Sequence, residues 1–237
     1  MSIICGEAHS VLKTIPEKSI DIIWTSPVYK DIDGYNLDKL TDIVKELYRV
    51  LKDNSLFFLN FGSLKEEKER PFKVCLKTID CGFKLNDTII WVKPQYSPIG
   101  GKKRLNNVFE YLFLFYKGEM PDLNRAAIGV PYKDISNAKR YNNGLNLKCR
   151  SNVWEVGYET ITNKNQKLHP LRAPVRLVED CIKLSGLKSG CLLDCFAGSC
   201  TSALAASNLG LKSMMIEKEE KYCVVGAERL NCEFIKI

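Results

Sequence analysis

Histidine is almost missing: His9 and His169 are the only two in 237 residues. Two histidines make a remote basis for a metal centre, and they leave none to spare as the base of a serine hydrolase, whose G-x-S-x-G turn is also missing. Long apolar runs are missing as well. The most apolar stretch, Val108 to Tyr116, is short and is broken by Glu110, which excludes a membrane-spanning helix there. The first residues, Met1 to Glu7, carry no basic start followed by a long apolar region, so no export signal is expected. There is no internal repeat and no low-complexity tract.

Ten cysteines are present, yet a chain of this length is no small disulfide scaffold. Cys75, Cys181, Cys191 and Cys223 sit in apolar strand-like or helix-like stretches, where a reduced thiol acts as a small hydrophobe. Cys191, Cys195 and Cys200 are separated by three and four residues, a spacing that fits no standard zinc pattern. Reduced thiols in a cytoplasmic protein are the expectation.

Hydrophobic residues make up 45% of the chain and charged residues 27%, enough for one domain with a substantial core. The net charge of +7 is unevenly placed. Between Lys93 and Arg150, eleven Lys and Arg stand against four acids, and the remainder of the chain is balanced. A single basic segment of this kind suits phosphate neutralisation.

Apolar periodicity alternates between strand and helix. Ser2 to Cys5, Ile20 to Trp24, Ser55 to Phe61 and Phe83 to Val92 read as strands. Glu7 to Ile15, Asp38 to Leu51 and Leu64 to Ile79 read as helices, the last interrupted at Pro71. After another strand at Val108 to Tyr116, periodicity fades over Gly118 to Lys167, which is rich in Asn, Gly, Lys and Tyr. It returns with a helix over Leu171 to Leu184, a strand Cys191 to Asp194, a helix Thr201 to Asn208, a strand Lys212 to Ile216 and a helix Glu219 to Leu230. The alternation predicts an α/β fold with a doubly wound, mostly parallel sheet in a single domain over 1–237, with a basic, loop-rich insert over 94–167.

Two stretches carry chemistry. Ile20 to Trp24 stops at Ser26-Pro27, so a buried strand releases a hydroxyl, a fixed carbonyl and the Tyr29 ring into one loop at its carboxyl end. Asp194 to Glu217 is a strand, a small-residue turn, a helix, a second strand and an acid, the βαβ logic of nucleoside binding. A single turn glycine, Gly198, with no G-x-G-x-x-G, suits a nucleoside without a pyrophosphate. Trp24, Trp91 and Trp154 read as core or pocket-wall residues, and His169 as a packed one.

Ser26-Pro27-Val28-Tyr29 resembles the S-P-P-Y catalytic motif of amino-directed DNA methyltransferases. Asp194-Cys195-Phe196-Ala197-Gly198-Ser199-Cys200-Thr201 resembles their D-P-F-A-G-S-G-T motif for S-adenosylmethionine (SAM). The circularly permuted order, catalytic motif first and cofactor motif last, is similar to the β class. So are Ser151 to Val156, His169-Pro170 and Gly6-Glu7. Four positions depart from the pattern: Val28 and Cys195 replace prolines, Cys200 replaces a glycine, and Glu7 stands for Asp. A side chain at 200 is expected to crowd the methionine part of the cofactor.

The resemblance implies a Rossmann-like methyltransferase fold and methyl transfer from SAM to cytosine N4 in duplex DNA, with adenine N6 as the alternative and an impaired DNA-binding pseudoenzyme as a further one. It implies catalytic roles for Ser26, Pro27 and Tyr29, in which Ser26 and the Pro27 carbonyl accept from the amine and Tyr29 stacks on the flipped base. Cofactor contacts fall to Glu7, Asp194, Phe196, Ala197, Gly198, Ser199, Cys200, Thr201 and Glu217. Phosphate and base contacts fall to Lys102, Lys103, Arg104, Arg125, Lys139 and Arg140. Double-stranded DNA is the implied partner; a homodimer and a cognate restriction endonuclease stay open, and no membrane is involved.

Overall fold

Short apolar runs separated by amphipathic segments fold as alternating strands and helices. The computed structural model describes residues 1–27, 36–64, 66–94, 103, 105–132, 147–158 and 173–237. The first half holds β1 (Ser2–Cys5), α1 (Ala8–Thr14), β2 (Ile20–Thr25), α2 (Leu37–Val50), β3 (Leu51–Phe61), α3 (Arg70–Asp80), β4 (Lys84–Val92) and β5 (Phe109–Lys117). Short strands β6 (Val130–Pro131), β7 (Leu147–Lys148) and β8 (Val153–Glu155) follow. The last part holds α4 (Val175–Ser185), β9 (Cys191–Asp194), α5 (Thr201–Asn208), β10 (Lys212–Glu217), α6 (Glu220–Leu230) and β11 (Phe234–Lys236).

Nine strands form one sheet in the order β11-β1-β10-β9-β2-β3-β5-β4-β8. Its neighbouring pairs are parallel except the two that β5 makes, with β3 and with β4. The mostly parallel, doubly wound sheet read from the sequence is therefore the architecture found. Helices α1, α2 and α3 bury their apolar faces against one side of it, and α4, α5 and α6 against the other. With both faces covered, β2 and β9 bury continuous apolar stretches, Ile22 to Trp24 and Leu192 to Leu193.

Strands β9 and β2 lie side by side in parallel register, Ile22 against Leu192 and Ile23 against Leu193. From β2 the chain proceeds to β3 on one side, and from β9 to β10 on the other. A reversal of this kind opens a crevice beyond the carboxyl ends of the two strands.

Two expectations change. Pro71 does not interrupt a helix but opens one: α3 begins at Arg70, and Pro71 occupies the first turn, where an N–H has no intrahelical partner to lose. Strand β3 begins at Leu51, directly after α2, because Lys117 Nζ donates to the Tyr48 and Leu51 carbonyls at 2.7 Å each and satisfies the end of the helix. The range 94–167 also contributes strands to the sheet. Strand β5 lies in it yet sits between β3 and β4, and β8 extends the sheet beyond β4 with Trp154 buried.

Part of the basic excess is committed internally. Lys93 pairs with Glu110 at 2.9 Å, Lys117 is buried against backbone carbonyls, and Arg150 reaches the buried Asp180 at 2.6 Å while lying over the Trp154 ring.

Candidate active site

Thr25 is the last residue of β2, and its Oγ1 donates to Asp194 Oδ1 at 2.7 Å, where β9 ends. The same Oδ1 accepts the Phe196 N–H at 3.1 Å, and Oδ2 accepts the Ser202 hydroxyl at 2.6 Å. Asp194 thereby fixes the turn that follows it. Burial pushes its carboxyl up to about 6, and the hydrogen bonds from Ser202, Thr25 and the Phe196 N–H oppose that rise.

The turn is anchored a second time from β10. Glu217 accepts the Gly198 N–H on Oε2 at 2.8 Å and the Glu219 N–H on Oε1 at 2.9 Å. Burial raises its carboxyl above the usual range, with both N–H bonds opposing. Gly198 has φ +51°, in the left-handed region that favours glycine. The start of α5 is held by Arg229, whose guanidinium donates to Thr201 Oγ1 at 2.9 Å.

Between these anchors lies a small cleft of about 40 Å³, partly open to solvent. Its wall brings together Trp24 and Ser26 from the end of β2, Asp194 to Ser199 apart from Cys195, Thr201 and Ser202 from α5, and Ala173. Ser26, Asp194, Phe196, Ala197, Gly198, Ser199 and Thr201 thus line one cleft, although Ser26 and Asp194 are far apart in the chain. Ser199 is 3% exposed, and its hydroxyl finds no partner among the described residues. Pro27 is buried beside Ser26 and outside the wall, and Glu217 acts on the wall through Gly198.

Other predicted residues sit elsewhere. Cys200 does not crowd the cleft. It adopts φ +57° and is fully buried towards α6, where a Cβ on Gly226 would lie 2.5 Å from its sulfur. Gly226 makes the space that the missing glycine at 200 would otherwise leave. Burial raises the Cys195 and Cys200 thiols well above their ordinary range, which keeps them neutral. Glu7 occupies the N-cap position of α1 without a side-chain capping bond, its carboxylate 3.4 Å from Lys39 Nζ and outside the cleft wall.

Arg125, read as a phosphate contact, lies away from the cleft. The neighbouring Asn124 N–H donates to Leu184 O at the far end of α4, while Ala173, just before that helix, lines the cleft. Eleven helical residues separate the two ends by about 16 Å. Lys103 is exposed. Val28, Tyr29, Lys102, Arg104, Lys139, Arg140 and His169 lie outside the described residues.

Sequence reasoning missed Thr25, Asn60, Ser202 and Arg229. Thr25 and Asn60 had a signal, each a polar residue near the end of an apolar strand; Ser202 and Arg229 join the site through tertiary packing. No group of three or more candidate metal ligands occurs among the described residues.

A doubly wound sheet whose switch-point cleft joins a small-residue turn to a hydroxyl on the neighbouring strand defines a nucleoside-cofactor-binding α/β protein. The chain belongs to the DNA methylase family that modifies amino groups at N6 or N4, which matches residues 20–228. It is 30% identical over 247 positions to the type II methyltransferase M.HpaI of Haemophilus parainfluenzae, covering 98% of this chain and 74% of that one. The solved PvuII DNA methyltransferase (cytosine-N4-specific) superposes with a TM-score of 0.79 at 24% identity, covering 96% of this chain and 85% of that one. TTHA0409 of Thermus thermophilus, complexed with S-adenosyl-L-methionine, superposes with a TM-score of 0.71 at 21% identity, covering 99% and 98%.

Proposed function

We propose that this chain is a DNA cytosine-N4 methyltransferase that uses S-adenosylmethionine and acts on a base flipped out of duplex DNA. The observation that carries the reading is the shared cleft: Ser26 at the end of β2 faces the turn Asp194 to Ser199 at the end of β9.

The cleft residues fit the cofactor. Ser199 offers a buried hydroxyl with its hydrogen-bonding capacity unused among the described residues. The Glu217 carboxylate uses one lone pair of each oxygen on a backbone N–H and retains acceptor capacity for ribose hydroxyls. Asp194 and Gly198 shape the turn, and the Phe196 ring contributes to its wall. The cofactor supplies an electrophilic methyl group on a sulfonium.

The protein's part is to hold and polarise the amine. An exocyclic amine conjugated into its ring is a poor nucleophile. Ser26 Oγ and the Pro27 carbonyl accept its two hydrogens, favouring a tetrahedral nitrogen as positive charge develops there. Alignment of the amine with the cofactor turn supplies the entropic share of catalysis. Tyr29 stacks on the flipped base, worth about 1–3 kcal/mol against the cost of leaving the helix. Neutral, buried Cys195 and Cys200 have no part as nucleophiles. Lys103, with Lys102, Arg104, Lys139 and Arg140, holds DNA phosphates.

Serine at the first catalytic position favours cytosine N4. The family spans both amines, so adenine N6 is the second reading. Nucleoside analysis of DNA methylated in vitro tests the choice. N4-methylcytosine is expected, N6-methyladenine alone supports the second reading, and neither product under conditions where SAM binds overturns both.

A further inference from the structure

Asn60 is 1% exposed at the carboxyl end of β3, behind Ser26 and outside the cleft wall. Its Oδ1 accepts the Ser26 hydroxyl proton at 3.0 Å, and its Nδ2 donates to the backbone carbonyl of Tyr111 at 3.1 Å, across the β3–β5 pairing. The second bond fixes the sense of the first. An amide turned end for end would set Oδ1 against the Tyr111 carbonyl, acceptor facing acceptor, at a site closed to water. The amide oxygen therefore points to Ser26, and an amide oxygen only accepts. A Ser26 hydroxyl that donates to Asn60 meets a donor in the cleft through its oxygen, as an acceptor.

We propose that Asn60 is a positioning residue for methyl transfer: it makes the Ser26 hydroxyl an acceptor aimed at the amine of the target base. The inference rests on the role given to Ser26 above. It also defines what this pair does not do. When the N–C bond forms and the C–S bond breaks, the amine nitrogen must release one proton. A neutral amide has no basic site for it near neutral pH, so the proton passes to solvent and not along Ser26 to Asn60. The strand-borne Tyr111 carbonyl, not a charge, sets the orientation, and no titrating group is needed behind Ser26.

A double-mutant cycle tests this. Transfer of labelled methyl groups to unmethylated genomic DNA is measured for the wild type, N60L, S26A and the double variant. SAM affinity by calorimetry and the thermal midpoint are recorded for each. Asn60→Leu is expected to lower kcat about tenfold to a hundredfold, with SAM affinity held within about twofold. In the S26A background the same substitution changes kcat by less than about twofold, because its effect is routed through Ser26. An equal loss in both backgrounds overturns the inference and leaves the role of Ser26 intact. Full turnover by S26A removes that role and the inference with it.

Asn60→Asp covers the case in which N60L does not fold. Protonated, the new carboxyl donates to Tyr111 O and accepts from Ser26 as the amide does; ionised, it opposes the Tyr111 carbonyl. Its kcat is expected to fall with rising pH relative to wild type. A kcat profile parallel to that of the wild type overturns the inference.

Discussion

Thr25 and Asp194 are 169 positions apart in the chain and joined by a 2.7 Å hydrogen bond, hydroxyl to carboxylate, across neighbouring strand ends. The bond ties the loop that releases Ser26 to the turn that carries Gly198. Both residues are almost fully buried, so neither can exchange this partner for water.

Thr25→Val keeps the shape of the side chain and deletes the donor. Loss of a buried hydrogen bond to a charged group is expected to destabilise the fold by about 2 kcal/mol. Urea unfolding measures the loss. Calorimetry with SAM should show weaker binding, since the turn loses one of its supports.

Asp194 predicts an unusual pH dependence. Its carboxyl sits at about 6 in the fold against an ordinary value of 3.8. Between those values the folded protein holds a proton that the unfolded chain has released. The stability that this proton contributes is complete below about pH 4 and is lost as the pH climbs through 6, a span of about 3 kcal/mol. Asp194→Asn removes the titration. Unfolding measured from pH 4 to 7 should show wild type losing ground to the variant up to about pH 6, then a constant difference.

Gly226→Ala should change sign with its neighbour. In the wild type the new methyl meets the Cys200 sulfur at 2.5 Å, and the variant is expected to be destabilised. In a Cys200→Gly background the obstruction is gone, and replacing a mid-helix glycine by alanine should stabilise by about 1 kcal/mol. Thermal midpoints of the four proteins test the reversal.

The basic residues separate by environment. Arg150→Met leaves Asp180, 1% exposed, with Arg176 as its remaining ion partner at 2.8 Å, and is expected to destabilise the fold by about 3 kcal/mol. Lys103→Ala should leave stability unchanged and lower the salt slope of DNA binding by about one. Arg125→Ala, away from the cleft, should alter neither the slope nor the affinity. Filter binding across salt concentrations, with chemical unfolding alongside, distinguishes the three.

Much of the fold was legible because it is written in period. Cys191 to Asp194 and Lys212 to Ile216 are short apolar runs and became β9 and β10 almost as read. Pro71 misled because proline both ends and opens helices, and local sequence does not say which turn it will occupy. The strand at Phe109–Lys117 was legible too, but its place between β3 and β4, antiparallel to both, was not. Side-chain direction was least legible. A residue at 200 next to a cofactor turn reads as crowding, but a left-handed backbone at Cys200 and a glycine on α6 turn the sulfur away.

By itself the sequence determined the alternation of strands and helices, the two chemical stretches and their order, because these follow from local hydrophobic period and residue type. Only the tertiary structure decided that β2 and β9 are neighbours, that Asn60 stands behind Ser26, and that Arg125 lies away from the cleft. Those facts depend on strand order and on the hand of each crossover, which no local pattern along the chain encodes.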